Sequence, residues 1–263
     1  MDLGLKDKVA VVTASSRGLG KAVAEALAQE GARLAICSRD ESRIEETGSH
    51  LKATYGTDVL PIVCDVSDPK NVEGLRDKVL EAFGAADILF ANAGGPPPGG
   101  VLDVTPEDYE QAIQLNLMSA VHLAYAFLPK MKERQWGRII ASTSITVKQP
   151  IPYLALSNIS RVGVVALIKS LARDLAPFNI TANAVAPGYI MTERVKQLLE
   201  ARVAAEGISF DQAAEQMAEQ IPARRTGVPE EFGALVAFLA SERAAYINGE
   251  TVLIDGAMYS GLF

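Results

Sequence analysis

Val9-Ala10-Val11-Val12-Thr13-Ala14-Ser15-Ser16-Arg17-Gly18-Leu19-Gly20 carries the chain from a strand, through a turn, into a helix. The opening Val-Ala-Val-Val run has the continuous apolar character of a strand covered on both faces. From Ala22 to Gln29 the apolar positions Ala22, Val23, Ala26 and Leu27 return on one helical face, and Gly31 ends the segment. A helix N-terminus presents unpaired N–H groups and a positive dipole, and glycines let a pyrophosphate come close to the backbone. The glycines alone say little. With 21 glycines in 263 residues, about one or two Gly-x-Gly pairs arise by chance. Their place between strand and helix gives them weight, and a plain tight turn is the competing reading.

The same alternation continues. Leu34 to Cys37, Val59 to Val63, Ile88 to Phe90, Arg138 to Ala141, Asn183 to Ala186 and Thr251 to Ile254 read as strands. Helical patterns over roughly 40–54, 70–83, 106–134, 153–176 and 229–241 lie between them. Apolar strands alternating with helices predict an α/β fold, a doubly wound parallel sheet of about seven strands with helices on both faces. No Gly-, Ser- or Pro-rich linker divides the chain, so residues 1–263 are expected to form one domain. Residues 189–227 make a long excursion between two strands with amphipathic patterning of their own, which predicts a helical lid over a site.

Composition excludes several classes. Apolar residues are 49% and charged residues 22%, ordinary globular values. Lys and Arg number 25 against 32 Asp and Glu, a formal charge of −7, which argues against a nucleic-acid partner. Apolar runs such as Ala234 to Ala240 are too short for a bilayer, and Met1 to Asp7 lacks the features of a secretory signal, so no membrane role is expected. Cys37 and Cys64 are the only cysteines, which excludes a disulfide framework and points to the cytoplasm. With His50 and His122 they match no standard zinc spacing, and no metal is expected.

Further signals follow in order. Ala91-Asn92-Ala93-Gly94 closes the fourth strand, and Asn116 lies within Leu115-Asn116-Leu117. Gly137-Arg138-Ile139-Ile140 leads into Ser142-Thr143-Ser144, and Pro187-Gly188 with Thr192 follows the sixth strand. In this order and spacing the chain resembles the short-chain dehydrogenase/reductase family, and within it the 3-oxoacyl-carrier-protein reductase-like branch. The likeness runs from Leu5 to Asp255-Gly256. It implies a Rossmann-like dinucleotide-binding fold, with Thr13, Ser15, Ser16, Arg17, Gly18, Leu19 and Gly20 around the cofactor phosphates. Ala14 stands where the family has glycine. Asp65 and Val66 would hold the adenine, and Asn92, Ala93 and Gly94 would flank its ribose. After Pro187 and Gly188, the Ile190 backbone and Thr192 would face the nicotinamide carboxamide.

The choice of coenzyme rests on chemistry at the end of the second strand. An NAD site wants a carboxylate there for the ribose hydroxyls. This chain has Ser38 and Arg39, with Arg17 on the turn nearby, a set suited to a 2′-phosphate. NADP is therefore expected over NAD, although a shift of register would bring Asp40 to the ribose. At the catalytic positions the chain departs from the family, which uses Ser, Tyr and Lys with an Asn that fixes a water. Asn116 and Ser144 are in place, but Ser157 replaces the Tyr and Arg161 the Lys. A serine hydroxyl is a far weaker acid than a phenol, and a guanidinium is a poor proton relay. Tyr153, one helical turn before Ser157, offers a phenol displaced by about 5.4 Å; rim packing is its other reading.

Three functions stay open at this level. One is an NADP-dependent oxidoreductase acting on a small-molecule carbonyl or alcohol, 3-oxoacyl reductase-like, with an atypical active site. Another is a catalytically impaired NADP-binding sensor or inert oligomer partner. The last is a non-redox enzyme on the same scaffold, against which the retained phosphate turn argues. Met191, Val195, Leu198, Leu199 and Met217 in the lid fit an apolar substrate part or packing of the lid itself. Gly95-Pro96-Pro97-Pro98-Gly99-Gly100 would stiffen the pocket mouth. The resemblance implies a homotetramer or homodimer through helices over 106–134 and 153–176.

Overall fold

Seven parallel strands form the centre of the computed structural model, which describes residues 1–262. They are β1 (Val9–Thr13), β2 (Arg33–Ser38), β3 (Val59–Val63), β4 (Ile88–Ala91), β5 (Gly137–Ser142), β6 (Ile180–Pro187) and β7 (Thr251–Ile254). Their order is β3-β2-β1-β4-β5-β6-β7, every neighbouring pair parallel. The chain builds outward on one side of β1, then crosses back to build on the other. Between β1 and β4 the connections leave in opposite directions, and a crevice opens at the carboxyl ends of the strands.

Period-two side-chain direction feeds two apolar layers. Val11, Ala35, Leu89 and Ile139 face α3 (Pro69–Phe83), α5 (Ser119–Arg134) and α6 (Ala155–Leu175), meeting Leu75, Phe127 and Leu171. Val12, Leu34, Phe90 and Ile140 face α1 (Gly18–Gln29), α2 (Glu41–Tyr55) and α9 (Pro229–Ala240), meeting Leu27, Ile44 and Phe232. Both faces of the central strands are covered, which is why they read as unbroken apolar runs rather than alternating ones.

Two expectations change in detail. The 106–134 pattern is α4 (Pro106–Ile113) joined to α5 by a π-helical turn, Gln114–Met118. Helix α6 starts at Ala155, so Tyr153 lies outside it. The stretches Pro106–Arg134 and Ala155–Phe178 are long and apolar enough to cross a membrane by length and composition. Their apolar residues Leu123, Phe127, Val164 and Ile168 belong to the core against the sheet. The excursion after β6 forms α7 (Glu193–Glu206) and α8 (Phe210–Glu219). Val195, Leu199, Ala213 and Met217 pack these two helices on one another, joined by Met191. The apolar residues of these two helices thus serve mainly their mutual packing.

Asp87 ties the central strands together. Its buried carboxylate accepts from the Val9 amide at 2.9 Å and from Arg134 Nε at 3.2 Å. Its own amide donates to Val9 O, and its carbonyl accepts from the Arg138 amide. Asp87→Ala orphans the buried Val9 N–H, and urea unfolding should show a loss of about 2–3 kcal/mol. Wild-type stability in that variant would contradict the assignment.

Candidate active site

The turn after β1 is held from behind and open in front. Thr13 Oγ1 donates to Asn92 O at 2.7 Å and accepts from the Asn92 amide at 2.8 Å. Ser15 Oγ donates to Val12 O at 2.8 Å and accepts from the Cys37 amide at 3.1 Å. Both side chains are buried and face the sheet, so they brace the turn rather than line the crevice. In front, Ala14, Ser16, Arg17, Gly18, Leu19 and Gly20 border a cleft of about 850 Å³. Helix α1 takes no side-chain cap from Arg17, and no acidic residue lies in its first turn. Its leading N–H groups and dipole therefore face the cleft without a protein anion to satisfy them.

Two backbone features shape the turn. A Cβ at Gly20 would sit 2.3 Å from the Ala14 carbonyl oxygen, so only glycine allows this approach. Ala14 has φ +50°, a left-handed conformation that its methyl group disfavours by roughly 1–2 kcal/mol. The cost of alanine at this position is thus conformational.

Basic groups gather at the far end of β2. Ser38, Arg39, Asp40, Arg43 and Asp65 all border the cleft. Asp40 is already engaged: it caps α2 by accepting from the Arg43 amide at 3.1 Å, and its other oxygen lies 3.3 Å from Arg43 Nε. Ser38 Oγ donates to Asp40 O at 3.1 Å. Arg39 is exposed, with Asp65 4.0 Å away. Burial pushes the Asp65 carboxyl up, but bonds from the Ser67 hydroxyl and amide and the Arg39 charge outweigh it and hold its pKa below the ordinary value. Arg17 does not converge on this group. It forms an ion pair of 2.5 Å with Glu193 at the start of α7, joining the turn to that helix. Arg43 was not anticipated; the Asp40-to-Arg43 spacing of a helix cap was its sign in the sequence.

Along the cleft lie Val66, Asn92, Ala93 and Gly94, then Pro187, Gly188, Ile190 and Thr192. Arg194 from α7 reaches across to donate to Pro96 O at 3.3 Å, which ties α7 to the proline loop. The inner end is bordered by Ser142, Thr143 and Arg161. Arg161 is buried and donates from Nη1 to Ser142 O and Thr143 O, both at 3.1 Å. Desolvation lowers its pKa to about 10, so it still carries its charge near neutral pH.

Ser144, Ser157 and Asn116 stand beside this end rather than among the residues bordering the cleft. Ser144 Oγ accepts from the Thr146 amide at 3.2 Å, and Thr146 Oγ1 lies 3.4 Å from Ser157 Oγ. Asn116 sits in the π-helical turn, donating from Nδ2 to Ala112 O at 3.2 Å, while its buried Oδ1 has no protein partner. Tyr153 does not reach this group. It is 71% exposed, held at φ +60° in the turn before α6, and its carbonyl accepts from the Gly99 amide. Its ring occupies the rim by Gly100. Among the described residues no cluster of acidic, His or Cys side chains would hold a metal ion.

A family model described as enoyl-(acyl carrier protein) reductase matches residues 13–258. The chain belongs to the short-chain dehydrogenase/reductase family. It is 36% identical over 260 residues to dehydrogenase/reductase SDR family member 4 from Sus scrofa, covering 98% of this chain and 89% of the relative. It is 35% identical over 257 residues to the 3-oxoacyl-[acyl-carrier-protein] reductase FabG of Escherichia coli strain K12, covering 98% and 99%. The L-sorbose reductase of Gluconobacter frateurii, solved with NADPH and L-sorbose, superposes with a TM-score of 0.96 at 34% identity over 100% of both chains. An NADPH-bound short chain oxidoreductase from Pseudomonas aeruginosa PAO1 with an atypical catalytic centre has a TM-score of 0.90 at 31% identity, covering 97% and 99%.

Proposed function

We propose that this protein is an NADP-dependent oxidoreductase that reduces the carbonyl of a small molecule, or oxidises the corresponding alcohol, by a 3-oxoacyl reductase-like reaction at an altered active site. The observation that carries the coenzyme is the end of β2. Arg39 and Arg43 border the cleft there, while the Asp40 carboxylate that would serve an NAD ribose is spent on capping α2. The fit of a dinucleotide is supported by the turn at Gly20, where a Cβ would close the cradle, and by the uncapped first turn of α1. The NADPH-bound relatives agree with this reading.

Bound in this cleft, NADPH supplies a hydride to the substrate carbonyl. The work of the chain is to hold the reacting groups and meet the charge that develops on oxygen. Ser16, Gly18, Leu19 and Gly20 would grip the phosphates, with Asp65 and Val66 at the adenine and Asn92, Ala93 and Gly94 at its ribose. Ile190 and Thr192, following Pro187 and Gly188, would orient the nicotinamide. Ser144 and Ser157 would place hydroxyls at the substrate oxygen, one of them donating the proton that solvent later returns. Arg161 would stabilise the alkoxide and hold ribose hydroxyls, since a buried guanidinium without a carboxylate partner is a strong electrostatic group in a water-poor site. Asn116, with its unpartnered Oδ1, suits a bound water between these groups and solvent.

One observation favours a second reading, a cofactor-binding sensor or inert oligomer partner with little turnover: the phenol of Tyr153, the candidate replacement for the family Tyr, faces solvent. A homotetramer or homodimer is supported by exposed Tyr125 on α5 and by Ile159 and Val162 on α6. The free, buried cysteines suit a reducing compartment, the cytoplasm.

Two outcomes test this assignment. In calorimetric titrations, Arg39→Ala combined with Arg43→Ala should weaken NADPH binding by about tenfold or more while leaving NADH little changed. Equal losses for both would remove the basis of the NADP assignment. The paired change Ser157→Tyr with Arg161→Lys should raise carbonyl reduction by about a hundredfold, the usual gain from a well-placed general acid. An unchanged rate in folded, NADPH-binding protein would show that these two positions do not limit turnover.

A further inference from the structure

One buried hydroxyl beside the active site has no part in the scheme above. Thr146 is 2% exposed and sits in the short helical turn Ile145–Val147 that follows β5. Its backbone amide donates to Ser144 Oγ at 3.2 Å, and its Oγ1 lies 3.4 Å from Ser157 Oγ. That contact is the one side-chain hydrogen bond the structure gives either hydroxyl. Four and three residues earlier, the carbonyls of Ser142 and Thr143 hold the Arg161 guanidinium. The segment 142–146 therefore touches both Ser157 and Arg161 of α6.

We infer that Thr146 is a positioning residue that stands in for the rigidity a phenol ring would bring, by fixing the Ser157 hydroxyl with its side chain and the Ser144 hydroxyl with its amide. The inference rests on the reading of Ser157 as a reacting hydroxyl. A serine side chain turns freely about one bond, and a free rotor spends most of its time away from a reacting oxygen. Either hydroxyl can donate in this 3.4 Å contact; with Thr146 Oγ1 as the donor, the bond removes that freedom and leaves the Ser157 proton directed elsewhere, available to an alkoxide. Burial of Thr146 keeps water from competing for the bond. The geometry also separates the two duties: the Ser144 contact uses the backbone and survives any side-chain change at 146.

Thr146→Val keeps the shape of the side chain and the amide while deleting the hydroxyl. With NADPH and a 3-oxoacyl thioester, kcat should fall about tenfold or more, with KM, NADPH affinity and Tm unchanged. Thr146→Ser, which keeps the hydroxyl, should restore most of the rate. A wild-type kcat in Thr146→Val, or a Thr146→Ser variant as slow as Thr146→Val, would overturn the inference. Crystal structures of both proteins with NADPH give an answer that needs no turnover. Ser157 should hold one rotamer facing Thr146 in the wild type and leave it in Thr146→Val; the same single rotamer in both would refute the role. If the wild type reduces no carbonyl at all, the proposed activity fails, while the rotamer comparison still decides Thr146.

Discussion

The contact of Gly20 with the Ala14 carbonyl governs the arrangement of the whole molecule. At the distance available, a single added carbon would overlap the backbone oxygen, so the chain can pass from β1 into α1 this tightly only with glycine at that point. The tight passage aims α1 so that its first turn opens on the crevice at the strand ends. It also presses α1 onto the sheet, where Val23 and Leu27 join Val12, Leu34 and Phe232 in one apolar layer. The tight turn and the packing of α1 are consequences of one backbone approach.

Charge divides the cleft into two environments. At the end of β2 the guanidiniums are exposed and paired weakly, Arg39 with Asp65 at 4.0 Å and Arg43 with its own helix cap. Exposed pairs of this kind are worth little and exchange readily for a phosphate. At the inner end Arg161 is buried, with only carbonyl partners, and its retained charge in a poorly hydrated site acts at longer reach. Helix α7 is fastened across both regions, by Arg17 to Glu193 at the turn after β1 and by Arg194 to Pro96 at the proline loop. Entry of a dinucleotide must therefore exchange or pass these contacts.

The strands were readable because burial on both faces leaves no alternation, and every predicted strand appears in the sheet. Gly18 was placed at the crevice by its position between strand and helix, and Asp65 and Asn92 by the family resemblance; all three border the cleft. What the sequence did not disclose depends on side-chain direction. Thr13 and Ser15 sit on the expected turn yet point into the sheet, and Arg17 is drawn to Glu193, 176 residues away in the chain. Tyr153 looked available by helical spacing, but the helix begins two residues later and the ring turns outward. Thr146 carried no motif, because its contact with Ser157 is made only when α6 packs beside the Ile145–Val147 turn.

Central to the account is a cleft that holds a phosphorylated dinucleotide with its nicotinamide facing serine hydroxyls and an arginine where the family has Tyr and Lys. A crystal structure of the NADPH complex measures this directly. The account predicts the 2′-phosphate on Arg39 and Arg43, and the nicotinamide beside Arg161 with the Ser144 or Ser157 hydroxyl as the nearest proton donor. A nicotinamide turned away from Arg161, or the Tyr153 phenol swung in as the nearest donor, would contradict it.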